Sequence, residues 1–190
     1  MTRHLAAIVA ADIVGYSAMM SADQDGTLAA LRWVRSELFG PTVTGHRGKI
    51  VKSMGDGWLV EFASSIDAVV CAMQIQDRLA GNELIRLRIG IHIGDIVHED
   101  EDVFGDGVNV AARLEAMAKP RTVVISDAVF GSLDGTLQLS FDELGERKLK
   151  NIARPIKVWS RGGATAAAKL EPQSQPQTGF PQLAIHPVSC

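Results

Sequence analysis

The sequence predicts an α+β fold, a ferredoxin-like βαββαβ core with additional C-terminal α/β elements, and three observations lead there. An apolar run rich in Ala, Val and Ile occupies Leu5–Val14 near the start of the chain. Two short β-prone runs, 49–54 and 58–62, flank Gly55-Asp56-Gly57, and an Asp-Gly pair between such runs is a strong hairpin signal. Alternation over 86–97 then sets Leu87, Ile89, Ile91 and Ile93 against Arg88, Gly90, His92 and Gly94, the period of a long half-buried strand.

The first run ends at Asp12-Ile13-Val14-Gly15, as a buried strand entering a turn would. Asp23 can cap a helix with apolar positions Leu28, Leu31, Val34 and Leu38, which Gly40-Pro41 is expected to interrupt. After the hairpin, Ser65 offers an N-cap for a second helix with Ala68, Ala72, Ile75 and Leu79 on one face. The long strand completes the split βαβ order. Beyond it, Val108–Ala118 reads as a helix and Thr122–Ser126 as a strand, with 138–144 and 148–159 as a closing antiparallel pair. Pro155 implies an edge or a bulge in the last of these. From Gly162 the chain turns to Ala, Gln and Pro without periodicity, so 1–161 reads as one domain and 162–190 as a linker or tail.

Composition agrees with one main domain: 190 residues, 46% hydrophobic and 22% charged, bury one sizeable core. A formal net charge of -3 advertises no nucleic acid or anionic membrane as partner, so phosphate binding has to be local. Cys71 and Cys190 make neither a disulfide framework nor a metal-ligand spacing. No long uninterrupted apolar window occurs, and the expected location is the cytoplasm.

Asp12 and Asp56 are the first candidates for chemistry. In a split βαβ sheet the first strand lies beside the hairpin, so the two carboxylates can converge on a hard cation that also holds phosphate oxygens. Asp56 alone reads as an ordinary turn residue, whereas Asp12, ending an apolar strand, needs a partner to offset its desolvation. Asn109 and Arg113, four apart on one helix face, can hold a ribose and a phosphate; Arg113 can equally pair with Asp106 or Glu115. The acids of 99–102 fail the EF-hand pattern and read as a solvated loop. His92 and His98, with Asp95 between them, lack the spacing of a zinc site and read as ordinary strand histidines. No phosphate-binding Gly-x-x-x-x-Gly-Lys loop, nucleophile elbow or dinucleotide fingerprint is present.

Taken in order, Ala11-Asp12-Ile13-Val14-Gly15-Tyr16-Ser17, Lys52-Ser53-Met54-Gly55-Asp56-Gly57 and the run from Asp102 to Arg113 resemble the successive signatures of class III adenylate and guanylate cyclases. Leu149-Lys150-Asn151-Ile152 resembles a fourth, and the likeness covers about residues 5–160. The resemblance implies that Asp12 and Asp56, with the Ile13 carbonyl, bind two divalent cations, Mg2+ or Mn2+. It implies that Arg113 stabilises charge on the α-phosphoryl group, Asn109 orients the ribose and Lys150 binds the outer phosphates. Lys52 and Asp102 match the base-selecting pair. Lys donates and Asp accepts, which suits the N1 and 6-amino edge of adenine, so ATP is the expected substrate.

By the same resemblance, the metal aspartates face the base-selecting, Asn and Arg residues across a dimer interface. A chain carrying both sets is expected to form a homodimer with two symmetric sites. A diguanylate cyclase shares the core fold, but its Gly-Gly-Asp/Glu-Glu-Phe signature is absent. A non-catalytic or autoinhibited nucleotide-sensing module of the same fold is the different-class alternative, and a guanylate cyclase the alternative within the family. The tail leaves room for a regulatory or effector domain outside this chain.

Overall fold

The computed structural model describes residues 2–99 and 102–162. The elements run β1 (Thr2–Ile13), α1 (Tyr16–Ala22), α2 (Gln24–Trp33), a π-helical stretch (Val34–Phe39), α3 (Gly40–Gly45), β2 (Lys49–Met54), β3 (Gly57–Phe62) and α4 (Ser65–Arg78). They continue with β4 (Leu87–Glu99), β5 (Asp102–Phe104), α5 (Asp106–Met117), β6 (Thr122–Ser126), α6 (Asp127–Phe130), α7 (Gly135–Gln138), β7 (Asp142–Arg147) and β8 (Ile156–Gly162). One sheet of eight strands has the order β2-β3-β1-β4-β6-β8-β7, with β5 paired to β4. Its first four strands are the ferredoxin-like core, and β4 and β6 are parallel around α5.

Period-two alternation sorts β1 onto two covered faces. Ala7, Val9, Ala11 and Ile13 join Trp58, Val60, Ile89 and Ile91 against Leu38, Phe39, Ala72 and Ile75 of the first helical layer. Ala6, Ile8 and Ala10 join Leu59, Ile96 and Ala111 on the other side, under α5. The half-buried strand expected at 86–97 is therefore covered on both faces. Its glycines are not a polar side: a Cβ on Gly90 would overlap Glu115 N and Ala111 O, so glycine lets α5 lie directly on β4.

Several boundaries differ from the sequence expectation for identifiable reasons. Gly40-Pro41 does not interrupt the second helical segment. Proline lacks an N–H and crowds the carbonyl four residues back, which here is that of Glu37. The chain widens into the π-turn, Gly40 N–H donates to Arg35 O, and Glu37 O accepts from Arg78 Nη2 at 3.3 Å. The hairpin turns on Gly55-Asp56 rather than Asp56-Gly57, because Met54 pairs with Gly57 and only Gly55 takes a positive φ, 60°. Ser64, not Ser65, caps α4, its Oγ accepting from Asp67 N at 3.3 Å.

The closing pair is antiparallel, but its strands are shorter than 138–144 and 148–159 suggested. Gln138 ends α7, and Pro155 stands just outside β8, where its missing N–H costs no ladder bond. The strand after Pro155 is interior, between β6 and β7; the edge is β7, and the ladder shifts register between Glu143 and Gly145. The acidic stretch is not all loop, since Glu99 pairs with Asp102. Gly162 closes β8, and the rest of the expected tail, 163–190, lies outside the described residues. Among the described residues no helix is long and apolar enough to cross a membrane.

Candidate active site

Backbone pairing alone brings two carboxylates together. Asp12, next to last in β1, stands opposite Gly57 of β3, and the last residue, Ile13, donates its N–H to Asp56 O at 3.1 Å. The turn carrying Asp56 is therefore stitched to the end of the strand carrying Asp12. Arg35 Nη2 donates to Gly55 O and ties the same turn to the helical layer.

Arg88 and Glu115 complete the cluster; the sequence offers Arg88 only as part of a strand pattern and Glu115 only as a partner for Arg113, whereas Glu115 lies against Arg88. Arg88 stands opposite Asp12 on β4 and its Nη2 donates to Asp12 Oδ2 at 2.6 Å. Its Nε lies 3.0 Å from Glu115 Oε1, yet both atoms lack an aligned hydrogen-bond partner, so this contact is a charge pair only. Burial, first of all, raises the Asp12 pKa; the Arg88 hydrogen bond opposes this and the charge of Asp56 adds to it. Glu115 is pushed up to about 7, again chiefly by burial, with Asp12 and Asp56 raising it and Arg88 lowering it. Three carboxylates thus share the neighbourhood of one guanidinium. Hard oxygen donors and the mutual repulsion of Asp12, Asp56 and Glu115 fit a divalent cation.

These groups open onto a cleft of ≈ 420 Å³ whose lining includes Asp12, Lys52, Asp56, Phe104, Ala112 and Glu115. That size suits a nucleotide-scale ligand. Lys52 comes from β2, half-buried, on the same chain and cleft as the two aspartates. Asp102 opens β5, whose next two residues line the cleft.

Asn109 and Arg113 are elsewhere. Each follows a cleft-lining residue of α5, Val108 or Ala112, by one position, which is ~100° around the helix. Both are exposed. Lys150 is exposed in the loop before β8, and its neighbour Leu149 packs with Val110 and Leu114, so that loop lies against α5. Asp12, Asp56 and Lys52 therefore line one cleft, with the Ile13 backbone tied to Asp56, while Asn109, Arg113 and Lys150 lie outside its lining.

Arg88 and Glu115 escaped the sequence reading because charged residues in an amphipathic pattern look solvated. The available signal was register: in the split βαβ order β4 flanks β1, so a basic residue on β4 can stand beside Asp12. The histidine pair considered in the sequence is split, with His92 Nδ1 2.8 Å from Ser126 Oγ and His98 bonded to Glu61.

The family model described as the adenylate and guanylate cyclase catalytic domain matches residues 3–162. A Rhizobium meliloti (strain 1021) protein provisionally named adenylate cyclase 3 is 45% identical over 167 residues, 83% of this chain and 28% of its own length. The pH-sensitive adenylate cyclase MT1302 of Mycobacterium tuberculosis (strain CDC 1551 / Oshkosh) is 32% identical over 82% of this chain and 40% of its own. The chain thus spans under half the length of these curated relatives. A crystal structure of an adenylate/guanylate cyclase/hydrolase from Silicibacter pomeroyi superposes with a TM-score of 0.78 at 43% identity, covering 84% of this chain and 97% of that one.

Proposed function

The chain belongs to the adenylate and guanylate cyclase catalytic-domain family, and from that premise we propose that it converts ATP to 3′,5′-cyclic AMP and pyrophosphate at sites shared between two copies of itself. The observation that carries this reading is that Asp12 and Asp56 line one cleft together, brought there by the β1–β3 ladder and the Ile13 N–H to Asp56 O bond.

Asp12, Asp56 and the Ile13 carbonyl are the groups that would hold two divalent cations, Mg2+ or Mn2+. Such cations, when bound, acidify the ribose 3′-hydroxyl and neutralise charge on the triphosphate. The 3′-oxygen attacks the α-phosphorus, the bond to the β-phosphate oxygen breaks, and pyrophosphate leaves; no protein nucleophile takes part. Arg113 supplies a guanidinium for the charge growing on the α-phosphoryl oxygens, Asn109 a carboxamide for the ribose, and Lys150 an ammonium for the outer phosphates. Lys52 and Asp102 supply one donor and one acceptor for the adenine edge, and guanine reverses both polarities.

Support for a shared site comes from the separation of the two groups of residues. A cleft with the carboxylates but without Asn109 and Arg113 is half of what the reaction needs, and those two are exposed where a second copy can meet them. The proposal takes 1–161 as the catalytic domain and the cytoplasm, where ATP is supplied, as its place; regulatory or effector segments beyond it accord with the length of the relatives.

The test is incubation of the purified chain with ATP, and separately GTP, in Mg2+ or Mn2+, with identification of the product. Cyclic AMP from ATP is expected, and its loss in Asp12→Ala and Asp56→Ala chains that remain folded and dimeric. Cyclic GMP as the main product would move the reading to a guanylate cyclase. Unchanged metal-dependent turnover in either variant would remove the two aspartates from the mechanism.

A further inference from the structure

On the same side of the sheet as the cleft, beyond its Leu59 and Val103, three neighbouring strands bring two imidazoles onto one carboxylate. His4 shares the face of β1 that carries Ala6, Ile8 and Ala10, while Glu61 and His98 come from β3 and β4. His4 Nε2 lies 2.6 Å from Glu61 Oε1, and His98 Nε2 lies 2.9 Å from Glu61 Oε2. The two rings are parallel within 4°, with centroids 5.4 Å apart. Glu61 is mostly buried, its side chain 15% exposed, while the His4 and His98 side chains are 40% and 28% exposed.

We propose that His4, Glu61 and His98 form a binding site for one borderline divalent transition-metal cation, zinc above all, which clamps the start of β1 to β3 and β4. Two imidazole nitrogens and a carboxylate are the donor set that zinc takes when three protein ligands leave a fourth position to water. The set selects against the hard cations expected at Asp12 and Asp56, since Mg2+ prefers oxygen throughout. The two locations are also distinct along β1: His4 precedes Asp12 by eight positions, and Glu61 stands opposite Ile8, four positions before Asp12.

The ligand atoms all lie within 4.8 Å of one another. A tetrahedral ion with bonds of ~2.0–2.1 Å holds its ligand atoms ~3.3 Å apart, so entry asks for shifts of roughly an ångström or less from each side chain. Those shifts open the two touching pairs and draw in any wider one, and the partly exposed imidazoles give the ion a path from solvent. In the metal-free state, hydrogens on Nε2 bridge to Glu61. The cation replaces them, and each ring then carries its proton on Nδ1. Because all three ligands stand on paired strands rather than loops, binding joins strands that are distant in sequence and resists fraying at the start of the chain.

The experiment uses the full untagged chain, stripped with a chelator and titrated with Zn2+ in excess Mg2+, with Co2+ as an absorbing probe. Binding of one Zn2+ at a site that needs all three ligands is expected. Visible Co2+ bands of low-coordinate imidazole ligation and a rise in Tm on adding Zn2+ should accompany it. His4→Ala and Glu61→Gln should each weaken Zn2+ binding by about tenfold or more and abolish the Tm rise. The combined Asp12→Asn and Asp56→Asn variant should bind Zn2+ as the parent does. His4 stands near the exposed start of β1; should His4→Ala nonetheless fail to fold by circular dichroism, Glu61→Gln decides. Zn2+ binding that is absent in the parent, unchanged in the folded His4 or Glu61 variant, or lost with Asp12 and Asp56, overturns the proposal.

Discussion

Arg88 Nη2 stands 2.6 Å from Asp12 Oδ2, so a guanidinium from β4 neutralises the carboxylate at the end of β1. The position matters because Asp12 is one of the three groups proposed to hold cations, and a cation has to compete with this arginine for the same oxygen. Replacement of Arg88 by Met keeps an apolar stem and removes the competing charge. In the absence of nucleotide, at a pH well above the carboxylate range, Arg88→Met should therefore bind Mn2+ more tightly, on the order of tenfold. Electron paramagnetic resonance of free Mn2+ reads this directly. Equal or weaker affinity would mean that Arg88 is not the group a cation displaces.

Glu115 and His92 impose opposite pH dependences on the metal-free fold. The Glu115 pKa is raised from 4.5 to about 7, so between those values the native state binds a proton that the unfolded chain releases. Stability from this group is present at low pH and lost as pH rises through about 7. Burial lowers the His92 pKa from 6.5 to about 4, so over that interval the unfolded chain binds the extra proton and stability rises with pH. The two slopes overlap and partly cancel in the parent. Urea denaturation in a chelator should show Glu115→Gln gaining on the parent from pH 4.5 to 7, by on the order of 1–3 kcal/mol. Conversely, His92→Gln should lose ground to the parent from pH 4 to 6.5. Curves parallel to the parent's would contradict both assignments.

Base choice rests on two residues from different strands. Lys52 lines the cleft from β2 and Asp102 begins β5, next to cleft-lining Val103 and Phe104. Lys52→Glu combined with Asp102→Cys removes the donor and the acceptor proposed for adenine. The ratio of kcat/KM for ATP over GTP should fall by about tenfold or more, whatever happens to the absolute rate. An unchanged ratio would release both residues from base selection.

Legibility followed the kind of signal each feature leaves in the chain. Strands β1, β3, β4 and β6 stand out because burial writes a dense apolar pattern, and the split βαβ arrangement sets β1 beside the hairpin and β4; it does not reach β6. Asp12 and Asp56 could be brought together in advance because topology makes β1 and the hairpin adjacent. Helix α1 left no such trace, since none of its residues is buried and no side chain caps its start. The helix through Pro41 hid behind a residue that normally stops one, and a π-turn with Arg78 as carbonyl partner exists only in three dimensions. The rest lies in three dimensions: Arg88 meets Asp12 by register, and His4 and His98 reach Glu61 along one sheet face by side-chain contacts that no local spacing encodes.

The separation of Asp56 from Arg113 gives the most exposing prediction. Asp56 lines the cleft, while Arg113 is exposed about a quarter-turn of α5 away from it. If the site is shared, Asp56→Ala and Arg113→Ala are each inactive as homodimers for different reasons, one lacking a cation ligand and the other the guanidinium. A mixed dimer distributes the defects unevenly. One of its sites receives both, whereas the other takes Asp56 from the Arg113 variant and Arg113 from the Asp56 variant and is complete. Co-expressed or exchanged chains should then regain cyclic AMP formation, up to about half the parent activity per dimer, since one of two symmetric sites is intact. Differently tagged chains establish that mixed dimers have formed. A site contained within one chain cannot be repaired by exchanging subunits, so verified mixed dimers as inactive as either parent would place Asp56 and Arg113 in the same subunit's site or remove one of them from it.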